Sequence, residues 1–262
     1  MKNPEDNSSE LTCSRREFLR RAGIAGAAAV GAAAVGFGMH YRKPERGSET
    51  VRIPDFSVPP IEDRPRIAAV RGENVERMIR AAVERLGGIG RFIEPGDVVV
   101  LKPNVGFASP PSLAATTHPE VVGAMARLCR EAGAESVLVI DNPINNPARC
   151  MKISGVAEAA EANGARVIMP KPAAFVDAVR EENAILKQWP FFYAPFENAT
   201  KVIGIPAAKH HSLAGVTLGM KNWYGLLGGR RNRLHQSIDM SIADLASLMR
   251  PTLMVLDATR VL

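Results

Sequence analysis

Cysteine is scarce in this chain of 262 residues: Cys13, Cys129 and Cys150 lie far apart, and none falls in a C-x-x-C pair. That excludes a zinc or iron–sulfur centre carried on cysteine. Cys129 sits in an apolar helical pattern as a small hydrophobe, and a bridge to Cys150 requires an oxidising compartment and close Cα atoms. Runs of like charge are missing too. Residues 1–46 hold eight basic and five acidic side chains and the remainder 25 and 22, so the formal charge of +6 is spread thinly. A basic face for nucleic acid is thereby excluded. There is no internal repeat, and the chain has one long hydrophobic run.

That run follows Ser14-Arg15-Arg16-Glu17-Phe18-Leu19-Arg20-Arg21 and extends from Ala22 to Met39 using only Ala, Gly, Val, Ile, Phe and Met. Charge followed by an apolar segment is the order of an export signal, and Arg15, Arg16, Phe18 and Leu19 match the twin-arginine motif. The translocase of that route is the expected partner. A plain transmembrane helix is the alternative, since roughly 17 to 20 apolar residues cross a bilayer. Ala and Gly dominate, however, which suits a weakly hydrophobic signal. Residues 22–39 can equally serve as a membrane anchor, and the arginines before them place the rest of the chain outside the cytoplasm, in the periplasm or anchored facing it. Val35-Gly36-Phe37-Gly38 is the nearest small-residue stretch to a cleavage site. The expected organisation is a signal or anchor over 1–40, a Pro- and charge-rich tether over 41–64, and a folded domain over 65–262.

From residue 65 onwards, short β-branched runs alternate with helical periods, the pattern of a mostly parallel sheet with helices on both faces. Strands are expected at Ile67 to Val70, Asp97 to Leu101, Val137 to Ile140, Arg166 to Met169, Lys201 to Ile205 and Thr252 to Leu256. Helices are expected over Asn74 to Leu86, from Thr117 through Leu128, over Val156 to Ala162 and around Ile238 to Met249. Thr117-His118-Pro119-Glu120 has the form of a capping box, with Thr117 as N-cap and Glu120 reaching back. The chain stops soon after Asp257 without a covering helix, as a C-terminally truncated domain would.

Polar residues gather just past the strand ends: Lys102 and Asn104, Asp141 and Asn142, then Lys209-His210-His211. In a parallel sheet these ends share one edge, so Thr117 and His118 at a helix start could join them around one cleft. Lysine ammoniums and helix N–H groups favour a small anionic ligand, and histidine titrates near neutrality. Lys221, Asn222 and His235 extend the set, Gly225, Gly228 and Gly229 allow close backbone approach, and Arg230, Arg231 and Arg233 add positive charge. Each has a structural reading as well: Lys102 as a loop cation, Thr117 as a plain cap, His118 as a local hydrogen-bonding group. Burying Lys209-His210-His211 without partners would be costly. A metal on His210, His211 and His235 is chemically reasonable, although no H-x-x-x-H spacing fixes its geometry.

Leu101-Lys102-Pro103-Asn104, Thr116-Thr117-His118-Pro119, Val139-Ile140-Asp141, Lys209-His210-His211, Val216-Thr217-Leu218-Gly219-Met220-Lys221-Asn222 and Leu256-Asp257-Ala258 together resemble the bacterial family called domain of unknown function 362. The ferredoxin-like cysteine module of many members is absent. More distantly the layout is similar to the N-terminal domain of lactate racemase, in which histidine and lysine act on a 2-hydroxy acid; His211, Lys221 and His235 fall in comparable order. That resemblance implies acid–base roles for these three, while the gathering past the strand ends assigns ligand contacts to Lys102, Asn104, Thr117, His118, Asp141, Lys209 and Asn222. The sequence is thus expected to be an exported α/β protein binding a small anionic ligand or unknown cofactor, with redox or isomerase-like chemistry. The alternative is a non-catalytic accessory protein of an extracytoplasmic redox system.

Overall fold

The computed structural model describes residues 14–41 and 49–260, in two units that divide at residue 46. The first is one helix, α1 (Arg15–Tyr41), long and apolar enough to cross a membrane by length and composition. Ser14 starts it by accepting the N–H of Glu17 on its hydroxyl at 3.2 Å, as an N-cap serine does.

The second unit is α/β. Its strands and helices run β1 (Thr50–Val51), α2 (Val75–Arg85), β2 (Val98–Pro103), α3 (Pro119–Glu131), β3 (Ser136–Ile140), α4 (Pro147–Ile153), α5 (Val156–Ala162) and β4 (Arg166–Ile168). They continue with β5 (Phe175–Val179), β6 (Gln188–Phe192), β7 (Lys201–Ile205), β8 (Lys209–His211), β9 (Gly215–Thr217), α6 (Gly219–Asn222), α7 (Ile238–Leu248) and β10 (Leu253–Met254). Five strands form a parallel sheet in the order β10-β7-β2-β3-β4. Alternation along each strand sorts the core into two layers. Val99, Leu101, Val137, Val139, Ile203 and Ile205 pack with α2, α3 and α5. Val100, Leu138, Ile140 and Val202 face the other way, onto Trp223, Leu245 of α7 and Phe191 and Phe192 of a second sheet.

That second sheet, β1-β5-β6, is where the structure departs most from the sequence pattern. Helices were expected on both faces of the main sheet; one face carries α7 together with this small sheet. Pro190 sits inside β6 opposite Asp177, and proline lacks the N–H for a central ladder. It is tolerated because β6 is an edge. The tether expected over 41–64 is packed from Thr50 on: β1 pairs with β5, and Phe56 is buried against Phe196 with ring centroids 6.3 Å apart. Conversely, Ile67 to Val70 is not a strand. Ile67 is 84% exposed, and among the described residues this run pairs with none of the sheets. Cys129 and Cys150 are buried free thiols rather than a disulfide, and burial pushes the Cys129 thiol up to about 12.

Candidate functional site

The chain leaves β2 for β3 and β4 on one side, then returns to β7 on the other. The crevice beyond the carboxyl ends of β2 and β7 is therefore the switch point of this sheet, the usual location for a ligand in an open α/β fold. Thr117 ties its two walls together. Its hydroxyl donates to Ile205 O at 2.6 Å and accepts the N–H of Asn104 at 2.8 Å. It is therefore not the cap of α3: the N-cap is His118, with no side-chain cap bond. The capping box is not formed either. The Thr117 N–H that Glu120 was expected to accept goes to Asn104 O at 2.8 Å, the N–H of His118 goes to Asp257 Oδ2 at 2.8 Å, and Glu120 lies out in solvent.

Alternation sends Lys102 to the Trp223 side of the sheet, where it is buried. Its Nζ meets Asp141 Oδ1 at 2.7 Å, Pro103 O at 2.7 Å and Asn222 Oδ1 at 3.3 Å. An ammonium has three donors, and all three are used. Burial holds this amine below the ordinary lysine range while Asp141 pulls the other way. Asp141 is held in turn by the N–H groups of Val105 at 2.6 Å and Asn142 at 2.9 Å. Asn222 closes the ring by donating to Lys102 O at 2.9 Å. Gly225 lies against this pair so closely that a Cβ would collide with Asp141 and with Lys102 Nζ. Arg231 adds no free charge to a ligand site, because its guanidinium donates to Asn142 O at 2.7 Å, Pro143 O at 2.8 Å, Tyr224 O at 3.2 Å and Leu227 O at 3.3 Å. It staples the β3 loop to the turn after α6.

Lys209 donates to Asn104 Oδ1 at 2.9 Å and to the carbonyl of Ala115, and its amine lies 5.1 Å from the centre of the Phe107 ring. Burial pushes its pKa down to about 8, with Lys221 and Lys102 adding to the fall and Asp141 opposing it. On β8, alternation puts Lys209 and His211 on one side and the exposed His210 on the other. His211 Nδ1 accepts the N–H groups of Leu213 at 3.2 Å and Ala214 at 3.1 Å, so the proton of its neutral ring sits on Nε2. Burial lowers its pKa, helped by Lys221, His235, Lys209 and His210. The rings of His211 and His235 stack at 6.2 Å, and His235 leans on Tyr224 at 5.5 Å.

Lys221 completes this group. Its amine lies 5.1 Å from the Tyr224 ring centre and, among the described residues, makes neither a hydrogen bond nor an ion pair. Burial lowers its pKa, and Lys102 and Arg231 lower it further.

The sequence-predicted residues thus separate into two sets. Lys102, Asn104, Thr117, Asp141, Lys209 and Asn222 form an internally bonded floor, with His118 beside it bonded through its backbone to Asp257. His211, Lys221 and His235 gather at its edge. The three-histidine metal set is not assembled, since His210 faces away, and among the described residues no three His, Cys, Asp or Glu side chains converge. Tyr224, Phe107 and the carbonyl clamp of Arg231 went unrecognised in the sequence. A tyrosine two residues after Asn222 was the available signal for the first.

A thylakoid-associated protein of Synechocystis sp. is 33% identical over 156 residues, 58% of this chain and 46% of the relative, so the chain spans about half the relative's length. A crystal structure of a protein from Thermotoga maritima superposes with a TM-score of 0.44 at 14% identity, over 67% of this chain and 43% of the other. The model of the family described as Domain of unknown function (DUF362) matches residues 99–262, and the chain belongs to that family.

Proposed function

We propose that this chain is an extracytoplasmic protein, exported by the twin-arginine route and held by or released from α1, whose α/β unit binds a small anionic ligand or cofactor at the β2–β7 switch point. The observation that carries the ligand reading is Lys221. Among the described residues, Lys102 has all its donors bonded to the protein and Lys209 two of three, whereas Lys221 has none. A half-buried ammonium without an acceptor, among other positive groups, has electrostatic room for an anion. His211 offers a second donor at Nε2, and with His235 supplies acid–base groups for redox or isomerase-like chemistry.

Support for export comes from α1. Arg15, Arg16, Arg20 and Arg21 crowd its first two turns, where the helix dipole disfavours cations. Their placement therefore suits recognition rather than helix stability. A relative described as thylakoid-associated favours a membrane setting.

Titration of the protein with inorganic phosphate in a calorimeter tests the ligand reading. Lys221→Ala should weaken binding at least tenfold, and equal affinity in variant and wild type would sink it. For export, Arg15→Lys combined with Arg16→Lys should leave the protein in the cytoplasm; continued export of this variant removes the twin-arginine assignment.

A further inference from the structure

Lys209 differs from Lys102 in what its buried amine touches. Lys102 is paired with a carboxylate, Asp141 at 2.7 Å. The amine of Lys209 meets uncharged oxygens, Asn104 Oδ1 at 2.9 Å and the carbonyl of Ala115, and among the described residues it is in no ion pair. Two fixed acceptors match the two N–H bonds of a neutral amine and leave its lone pair unengaged. An ammonium in the same place keeps a third N–H, with the Phe107 ring 5.1 Å away in place of an acceptor. Burial favours the neutral form, Lys221 and Lys102 add to it against the pull of Asp141, and the pKa falls to about 8. A desolvated lysine beside other cations is an activated nucleophile.

Phe107 also connects this amine to solvent. Its ring is 42% exposed, and exposed side chains exchange rotamers within nanoseconds. The backbone before it is pinned, since the N–H of Ile144 donates to Gly106 O at 3.0 Å, so the ring can turn while its loop stays in place. There is room beside it, because a Cβ on Gly106 would meet no atom within 4 Å. We propose that Lys209 is an imine-forming lysine, which captures a small aldehyde or ketone at the β2–β7 crevice with Phe107 as its movable cover. The nitrogen bonds the carbonyl carbon, both amine hydrogens leave with the carbonyl oxygen as water, and a C=N bond replaces C=O with no change of oxidation state. On taking a proton from water, the imine has one N–H to give to Asn104 or Ala115. This capture needs neither Lys221 nor a bound anion.

The test treats the full chain, in a non-ionic detergent, with propanal and sodium cyanoborohydride, which reduces an imine to a stable secondary amine; peptide mass mapping then gives the labelling rate of each lysine. At pH 8 about half of the amines with a pKa of about 8 are neutral, against under about 1% at the ordinary lysine value. Lys209 should therefore be labelled roughly tenfold faster than the exposed Lys171 and Lys187. Its rate should climb with pH and level off above about 8. Lys209→Arg should abolish the fast label, and Phe107→Ala should speed labelling of Lys209 severalfold by removing the cover. Labelling of Lys171 and Lys187 at the rate of Lys209 or above it overturns the imine lysine. Fast labelling of Lys209 that Phe107→Ala leaves unchanged overturns the cover and keeps the imine.

Discussion

At the scale of single residues, the floor of the site is built from charges that need each other. Lys102 and Asp141 are both buried and 2.7 Å apart, and such a pair contributes little over a well-packed apolar pair, yet removing one member strands the other. Lys102→Met should therefore cost about 3 to 5 kcal/mol, and adding Asp141→Asn, which removes the stranded charge and keeps an acceptor for the Val105 and Asn142 N–H groups, should recover part of it; urea midpoints of the two variants check this. Lys209 makes a pH prediction. Its pKa falls from the ordinary 10.5 to about 8 in the folded protein. Below pH 8 both states hold the proton, and the cost of burying it is fully present. Between about 8 and 10.5 the unfolded chain binds more protons than the native one, so stability rises with pH across that window. Denaturant unfolding at pH 7.5 and 9.5 should show this rise, and Lys209→Met should flatten it.

At the scale of elements, the start of α3 shows why a local motif can mislead. Ser/Thr-x-x-Glu ordinarily closes a capping box, but here Thr117 spans β2 and β7 and gives its N–H to Asn104 O, while Asp257, 139 residues from His118 along the chain, takes the N–H of His118. Thr117→Val leaves buried partners unsatisfied and should cost about 1 to 3 kcal/mol. Glu120→Ala should stay within about 0.5 kcal/mol of wild type. Thermal unfolding of both variants separates the readings, since a working capping box would make Glu120→Ala the measurable loss. The helical periods of α2, α3, α5 and α7 were legible because each has a core face set by its own spacing. The β5–β6 hairpin was not legible, because Pro190 argues against a strand until its edge position is known.

At the scale of the whole molecule, the α/β unit includes residues that look like tether. Phe56 is buried, its N–H bonds Arg250 O at 3.0 Å and its carbonyl accepts Thr252 Oγ1 at 2.8 Å. Phe56→Ala should lower stability by about 3 to 5 kcal/mol, read from chemical denaturation; an unchanged midpoint would mean that this stretch is a tether after all. The sequence by itself determined the parallel α/β class, the apolar N-terminal helix and the gathering of Lys102, Asn104, Asp141 and Lys209 past strand ends, because periodicity and strand direction are local properties. Only the tertiary structure decided which lysine is left without an acceptor among the described residues. Lys102, Lys209 and Lys221 look alike in sequence; Asp141, Asn222 and Asn104 reach two of them across the fold, and the third is left with an aromatic ring. His210 and His211 likewise differ by one position, and the pleat of β8 turns one to solvent and the other toward Lys221's neighbourhood. Which donors are already spent is a property of packing between distant segments, and no local pattern encodes it.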